Sequence, residues 1–190
     1  MSSEPGPYKA LRAYYNTSSL AIDEGETERL LDESDRAQVV IFAARLEDQL
    51  AEAIREKFPK LSPEDEKTIR IFHHDGPLGS FSAKITMSYA LGIIDERSMS
   101  ELNDIRQMRN ACAHSARDIS FATPELAQVC KRLLATEQAF FQMEQQHAEA
   151  LRNMFPILCM ALALSINEGT REAGTEYLRE AFGRLGLLRP

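Results

Sequence analysis

The residues best suited to chemistry are Arg109, Asn110 and His114, which lie close together in the chain. An arginine can stabilise negative charge on a phosphate, and a histidine can act as a general base or acid near neutral pH. The combination therefore points to phosphoryl chemistry. The spacing alone is not specific, because Arg-x4-His arises often by chance.

The helical period places Arg109 on an apolar face, since it follows Leu102 by seven residues and Ile105 by four. Burying an unpaired guanidinium is costly, so Arg109 must pair with a carboxylate or face a cleft. Arg109 and His114 lie ~140° apart on a straight helix. Both can reach one atom only if the helix ends near His114, where fraying is expected, or if a second copy of the chain faces it.

Further candidate binding residues precede or share this helix. His73, His74 and Asp75 suggest a metal site, but adjacent residues rarely chelate one ion together. We therefore predict no metal and no cofactor, and instead a turn whose polar groups cap neighbouring helices. Lys84 either faces an anion or lies on the solvated surface, which we favour. Arg106 contributes to the mild excess of positive charge in residues 97–117.

The elements that must position these residues are helices, because apolar residues recur at steps of three and four and no stretch alternates convincingly as a strand. A capping-box pattern at Ser98 and Glu101 predicts one helix start. Pro156 is expected to open or interrupt another helix. The predicted helices cover about 35–58, a short segment from Ser62, 80–94, 98–114, 123–141, a stretch around Pro156, and 170–187. This pattern predicts an all-α helical bundle with C-terminal helices packed on it.

Composition and charge narrow the function classes. The chain has 190 residues and is 44% hydrophobic, which suits a single domain over 27–190 after a loose arm at 1–26. Its net charge of −7 disfavours bulk electrostatic binding to a DNA duplex.

The three cysteines form no Cys-x-x-Cys, so neither a zinc knuckle nor a disulfide framework is indicated. No signal peptide follows Met1 and the apolar stretch 154–166 is short for a membrane span, so we expect a cytoplasmic protein without membrane contact.

Several segments resemble the mannitol operon repressor family. They are FHHDGPLGSFSAKI at 72–85, LGII at 91–94 and IRQMRNACAHS at 105–115, and the resemblance spans about 35–145. It implies an all-α fold and a role in transcription regulation, here as a homodimer. Members of the family lack an obvious helix-turn-helix, as this chain does. The resemblance therefore implies a regulator that acts mainly through a protein partner, with DNA and RNA left open.

The string Arg109-Asn110-x-x-x-His114 also resembles the HEPN superfamily of small, commonly dimeric helical bundles, many of which are metal-independent RNases. By that resemblance His114 would assist attack by an RNA 2′-hydroxyl, Arg109 would bind the scissile phosphate and Asn110 would orient them. Two facing subunits would resolve the angular separation of Arg109 and His114. A metal-independent endoribonuclease is thus the alternative function, and a helical adaptor without a site is a third.

Overall fold

The computed structural model describes residues 29–30, 32–58, 69–135 and 148–184. These residues form six long α-helices and contain no strand, so the predicted all-α class is confirmed. In chain order the helices are α1 (Asp35–Glu56), α2 (Phe81–Ala90), α3 (Glu96–His114), α4 (Pro124–Ala135), α5 (Ala148–Glu168) and α6 (Arg171–Arg184).

Helix α1 is the centre of the bundle and packs against α2, α3 and α5. Its apolar stripe is the one that the sequence predicts, and all five of its residues are buried: Val39, Phe42, Leu46, Leu50 and Ile54. The Phe42 ring meets Phe155 of α5 edge-on, with centroids 6.4 Å apart. The C-terminal helices pack as predicted, because α5 lies against α1 and α6 lies against α5.

Two predicted helix boundaries are wrong. Helix α3 is capped by Asp95, whose carboxylate accepts the Ser98 N–H at 2.7 Å, so Ser98 and Glu101 do not form a capping box. Helix α2 ends at Ala90 instead of continuing to Ile94. Gly92 then adopts a positive φ of 68°, and the Ile93 N–H returns to the Ser88 carbonyl at 2.9 Å.

Pro156 neither opens nor interrupts a helix, contrary to prediction, but lies inside α5 and is buried. Proline costs ~3 kcal/mol within a helix, and burial of this almost wholly apolar helix offsets that cost. By length and composition α5 is also the one described helix that would be able to cross a membrane. More than half of the relevant window is buried inside the protein, as in the core helix of a bundle.

Several predictions concern residues outside the described part of the chain. These are the arm at 1–26, the short helix from Ser62, the continuation of α4 toward Phe141 and the extension of α6 to Leu187. The division into an arm and one domain over 27–190 therefore stays a prediction. Within the described residues, all six helices contribute to one apolar cluster.

The packing of α5 on α6 depends on Gly174, where the two helices approach closely. A Cβ at this position would lie 2.2 Å from Ser165 Oγ and 2.3 Å from the Ala161 carbonyl oxygen. We expect Gly174→Ala to lower the free energy of unfolding by about 1–3 kcal/mol because it overpacks this contact. Urea denaturation followed by circular dichroism measures the loss.

Gly183→Ala, at an exposed position of the same helix, is the matched control and is expected to be neutral or to stabilise by up to ~1 kcal/mol. Equal effects of the two changes would contradict the prediction.

Candidate functional site

The three residues of the Arg-Asn-x-x-x-His string all lie in the C-terminal half of α3. Arg109 and Asn110 are half-buried, and Arg109 Nη1 donates to Asn110 Oδ1 at 3.2 Å. His114 is the last residue of the helix and is exposed. The chain thus brings Arg109 and Asn110 together, and helical geometry places His114 ~140° from Arg109 around the helix but only ~40° from Asn110.

Glu47 of α1 is the partner of Arg109 that sequence reasoning missed. Its Oε2 lies 3.9 Å from Arg109 Nη2, while its Oε1 accepts a 2.6 Å hydrogen bond from Lys84 Nζ. The Arg109 side chain keeps 35% of its surface exposed. Arg109 therefore has a carboxylate partner, which is one of the two outcomes predicted for it, and remains partly exposed to solvent.

The predicted surface position of Lys84 is wrong, because its side chain is only 8% exposed. Ser80 is the N-cap of α2, so the helix begins at Phe81. Lys84 then shares the buried face with Phe81, Ile85 and Ser88, at helical spacing. That spacing is present in the sequence and was the available signal for burial.

The charges around Glu47 nearly balance. Partial desolvation, followed by the neighbouring Glu47 charge, raises the pKa of Asp48, and Lys84 and Arg55 partly oppose this. Glu47 is thus shared by Lys84 and Arg109, while Asp48 is near Lys84 and Arg55. Such a cluster should bind anions only weakly, because a phosphate would compete with Glu47 for Arg109.

The end of α3 is held in place, and the expected fraying near His114 is absent from the described structure. Arg36 of α1 donates from Nη2 to the Ser115 carbonyl at 2.9 Å and reaches the Ala113 carbonyl at 3.5 Å. A cation near these carbonyls suits the negative end of the helix dipole. His114 consequently keeps its helical direction, away from Arg109.

Arg106 lies on α3 and donates from Nε to Asn103 Oδ1 at 3.3 Å. It is half-buried and is thereby tied to its own helix. Its inclusion among the binding residues stays a prediction.

The predicted turn before α2 is present, but its side chains bond to one another and to Arg70. His73 Nδ1 is in hydrogen-bond contact with Asp75 Oδ1, and Arg70 Nη2 lies 2.7 Å from His73 Nδ1. The hydrogen bond with His73, together with the Arg70 charge, lowers the pKa of the exposed Asp75. The ligand-type atoms of His73, His74 and Asp75 all lie within 4.8 Å of one another, so this turn is where the described residues would hold a metal ion.

Comparison with known proteins identifies one family and one fold. The sequence profile of the mannitol repressor family, MtlR, matches residues 27–162. No curated protein sequence matches the chain. A chain in the X-ray structure of the MtlR–HPr complex from Escherichia coli is similar, with a TM-score of 0.51 and 16% sequence identity over 80% of this chain and 94% of that chain. At this identity the structural similarity shows a shared fold.

The Glu47–Lys84 pair makes a stability prediction. Glu47→Gln leaves the buried Lys84 ammonium without its counter-charge, so we expect a loss of about 3 kcal/mol in the free energy of unfolding. Glu52→Gln on the same helix is the matched control, because it breaks only a part-exposed pair with Arg55 at 2.8 Å and should cost less than ~1 kcal/mol. Urea unfolding curves compare the two variants. A loss for Glu47→Gln no larger than that of the control would show that the pair does not hold α1 and α2 together.

Proposed function

The chain belongs to the mannitol repressor family, and from that membership we propose that it is a transcription-associated regulator that acts mainly by binding a partner protein. One observation carries the proposal: a structure that shares its fold is that of a complex of Escherichia coli MtlR with HPr. We infer that this chain binds a small protein of the HPr type. The proposal includes a cytoplasmic homodimer whose residues 27–190 form one domain.

The charge distribution supports a protein partner over direct duplex binding. The chain carries a net charge of −7, and several of the described arginines are paired with acids of the chain itself. Examples are Arg132 with Asp104 and Arg171 with Glu101. A protein that binds DNA through its backbone offers unpaired cations along one face, since counterion release drives that association. DNA contact by this chain alone is therefore not the role that we propose.

The first candidate for the partner surface is the end of α2. Tyr89 and Leu91 are exposed there, in a protein whose described large apolar residues are otherwise mostly buried. Exposed aromatic and aliphatic side chains are typical anchors of a protein interface. We therefore assign Tyr89 and Leu91 to the contact with the HPr-type partner.

Binding to purified HPr encoded by the same genome tests this assignment. Isothermal titration calorimetry should detect a complex with the wild-type chain, and the double change Tyr89→Ala with Leu91→Ala should raise its Kd about tenfold or more, the loss expected of interface anchors. Ile69→Ala is the matched control, because Ile69 is the third exposed large apolar residue and precedes the turn at the other end of α2.

Two outcomes would contradict these assignments. Absence of binding by the wild type up to a Kd of about 1 mM would overturn the HPr-type partner. An Ile69→Ala loss equal to that of the double variant would overturn the assignment of the surface while leaving the partner in place.

A second candidate function is a metal-independent endoribonuclease, and the incomplete neutralisation of the Arg109 charge favours it. Its carboxylate partner is 3.9 Å away and is already bonded to Lys84, so the Arg109 guanidinium is not neutralised by a fully buried acid of its own. Asn110 is within hydrogen-bond reach of it, and His114 is exposed. A second subunit would have to supply the histidine to this arginine, because one straight helix separates the two by ~140°.

RNA cleavage in excess EDTA tests the endoribonuclease. If the function holds, the wild-type dimer cuts RNA, and His114→Ala removes cleavage while circular dichroism and light scattering stay unchanged, since His114 is exposed and contributes no core contact. His74→Ala, an exposed histidine outside α3, is the matched control and should retain full activity. A monomer in light scattering, or equal activity of wild type and His114→Ala, would exclude this function.

A further inference from the structure

The turn between residues 70 and 79 is a rigid platform with no role in the proposed function. Four backbone hydrogen bonds close it within ten residues, from the N–H groups of His73, Gly76, Leu78 and Gly79 to carbonyls of the same segment. A Cβ at Gly76 would lie 2.1 Å from the Arg70 carbonyl oxygen, and one at Gly79 would lie 2.2 Å from that of His73. The chain therefore folds back on itself so tightly that only glycine fits at these points.

The turn is also anchored to the core. Leu78 is buried in the apolar cluster, and Phe72 packs against the same cluster and beneath the Arg55 guanidinium, 4.4 Å from its ring centroid. The side chains between these two anchors are consequently presented to solvent from a fixed backbone. Arg70, which precedes them, has a positive φ of 54°.

The side chains of His73 and Asp75 converge on one position, which the Arg70 guanidinium occupies. Arg70 Nη2 lies 2.7 Å from His73 Nδ1 and 3.2 Å from both carboxylate oxygens of Asp75. The His74 ring stacks at an angle on that of His73, with centroids 4.2 Å apart. A position lined by two imidazoles and a carboxylate, and filled by a positive group, is suited to a metal ion by its chemistry.

We propose that His73, His74 and Asp75 bind a divalent transition-metal ion of the Zn²⁺ type, and that the ion replaces the Arg70 guanidinium at this turn. Adjacent residues rarely chelate one ion together, and for that reason the sequence alone predicts no metal at this turn. Here the turn brings their ligand atoms within 4.8 Å of one another, and tetrahedral ligands ~2.1 Å from zinc lie about 3.4 Å apart. Small rotations of these side chains would bring the ligand atoms from their present separations to those that zinc requires, and water would complete the coordination.

The other soft ligands of the described chain do not compete for the ion. Burial raises the pKa of Cys112 to about 11 and that of Cys130 to about 12, and it also raises the pKa of Cys159. Zn²⁺ would have to displace the proton of such a thiol, which the raised pKa makes less favourable. The three cysteines are also buried and free.

Calorimetric titration of the untagged full chain with Zn²⁺, under reducing conditions, tests the proposal. We expect one ion per chain, with His73→Ala and Asp75→Ala each raising the Kd about tenfold or more because each removes a direct ligand. Arg70→Asn should lower the Kd by up to about thirtyfold, since it removes one unit charge ~4 Å from a doubly charged ion in water, and asparagine tolerates the positive φ.

His114→Ala is the matched control, because it removes an exposed histidine that lies far along the chain from the turn. It should leave the Kd unchanged, and far-ultraviolet circular dichroism should show that every variant keeps its helices. The proposal is overturned if the wild type has no Zn²⁺ site with a Kd below about 1 mM, or if His114→Ala weakens binding as much as His73→Ala does. A Kd that rises in Arg70→Asn would likewise show that Arg70 does not occupy the position of the ion.

Discussion

The carboxylate of Glu47, whose side chain is 17% exposed, is the constraint on which the arrangement of the first three helices depends. It lies on α1, accepts a 2.6 Å hydrogen bond from Lys84 of α2 and stands 3.9 Å from Arg109 of α3. A lysine that is only 8% exposed must have an opposite charge beside it, since an unpaired buried ammonium is far more costly than a paired one. The relative position of α1 and α2 is thereby tied to this one contact, within a core whose apolar packing would tolerate small shifts.

Charged contacts also join other distant segments of the chain. Arg171 at the start of α6 binds both oxygens of Glu101 at 2.8 and 3.0 Å, which fastens the last helix to α3. At the N-terminal end of α1, the Asp35 carboxylate binds Arg152 of α5 and accepts the Phe121 N–H at 2.9 Å. Apolar burial supplies most of the stabilisation, and these charged contacts select one register among similar packings.

Local sequence pattern predicted the class of the fold and the buried stripe of α1, because both follow from the period of one helix. It failed where a distant residue decides the outcome. The helical spacing of Lys84 signals its burial, but the carboxylate that makes this burial tolerable lies 37 positions earlier in the chain, so the partner was not evident from its own helix. The capping-box prediction failed for a local reason: Asp95 is the N-cap of the helix, and the side chains of Ser98 and Glu101 bind Arg171 instead. Pro156 is a helix breaker by propensity, and tertiary packing overrides that propensity.

The ion pairs that hold the helices together also affect whether Arg109 could act in catalysis. Arg109 is part of the Glu47 cluster, so a phosphate would have to draw it from a shared carboxylate. The contact is long and a third of the arginine is exposed, so that separation costs less than ~1 kcal/mol and does not prevent catalysis. The obstacle is geometric instead: Arg36 holds the carbonyls at the end of α3, which fixes the direction of His114. Catalysis at Arg109 therefore requires a histidine from a second subunit, whereas binding of a partner protein at Tyr89 and Leu91 requires no rearrangement of the bundle.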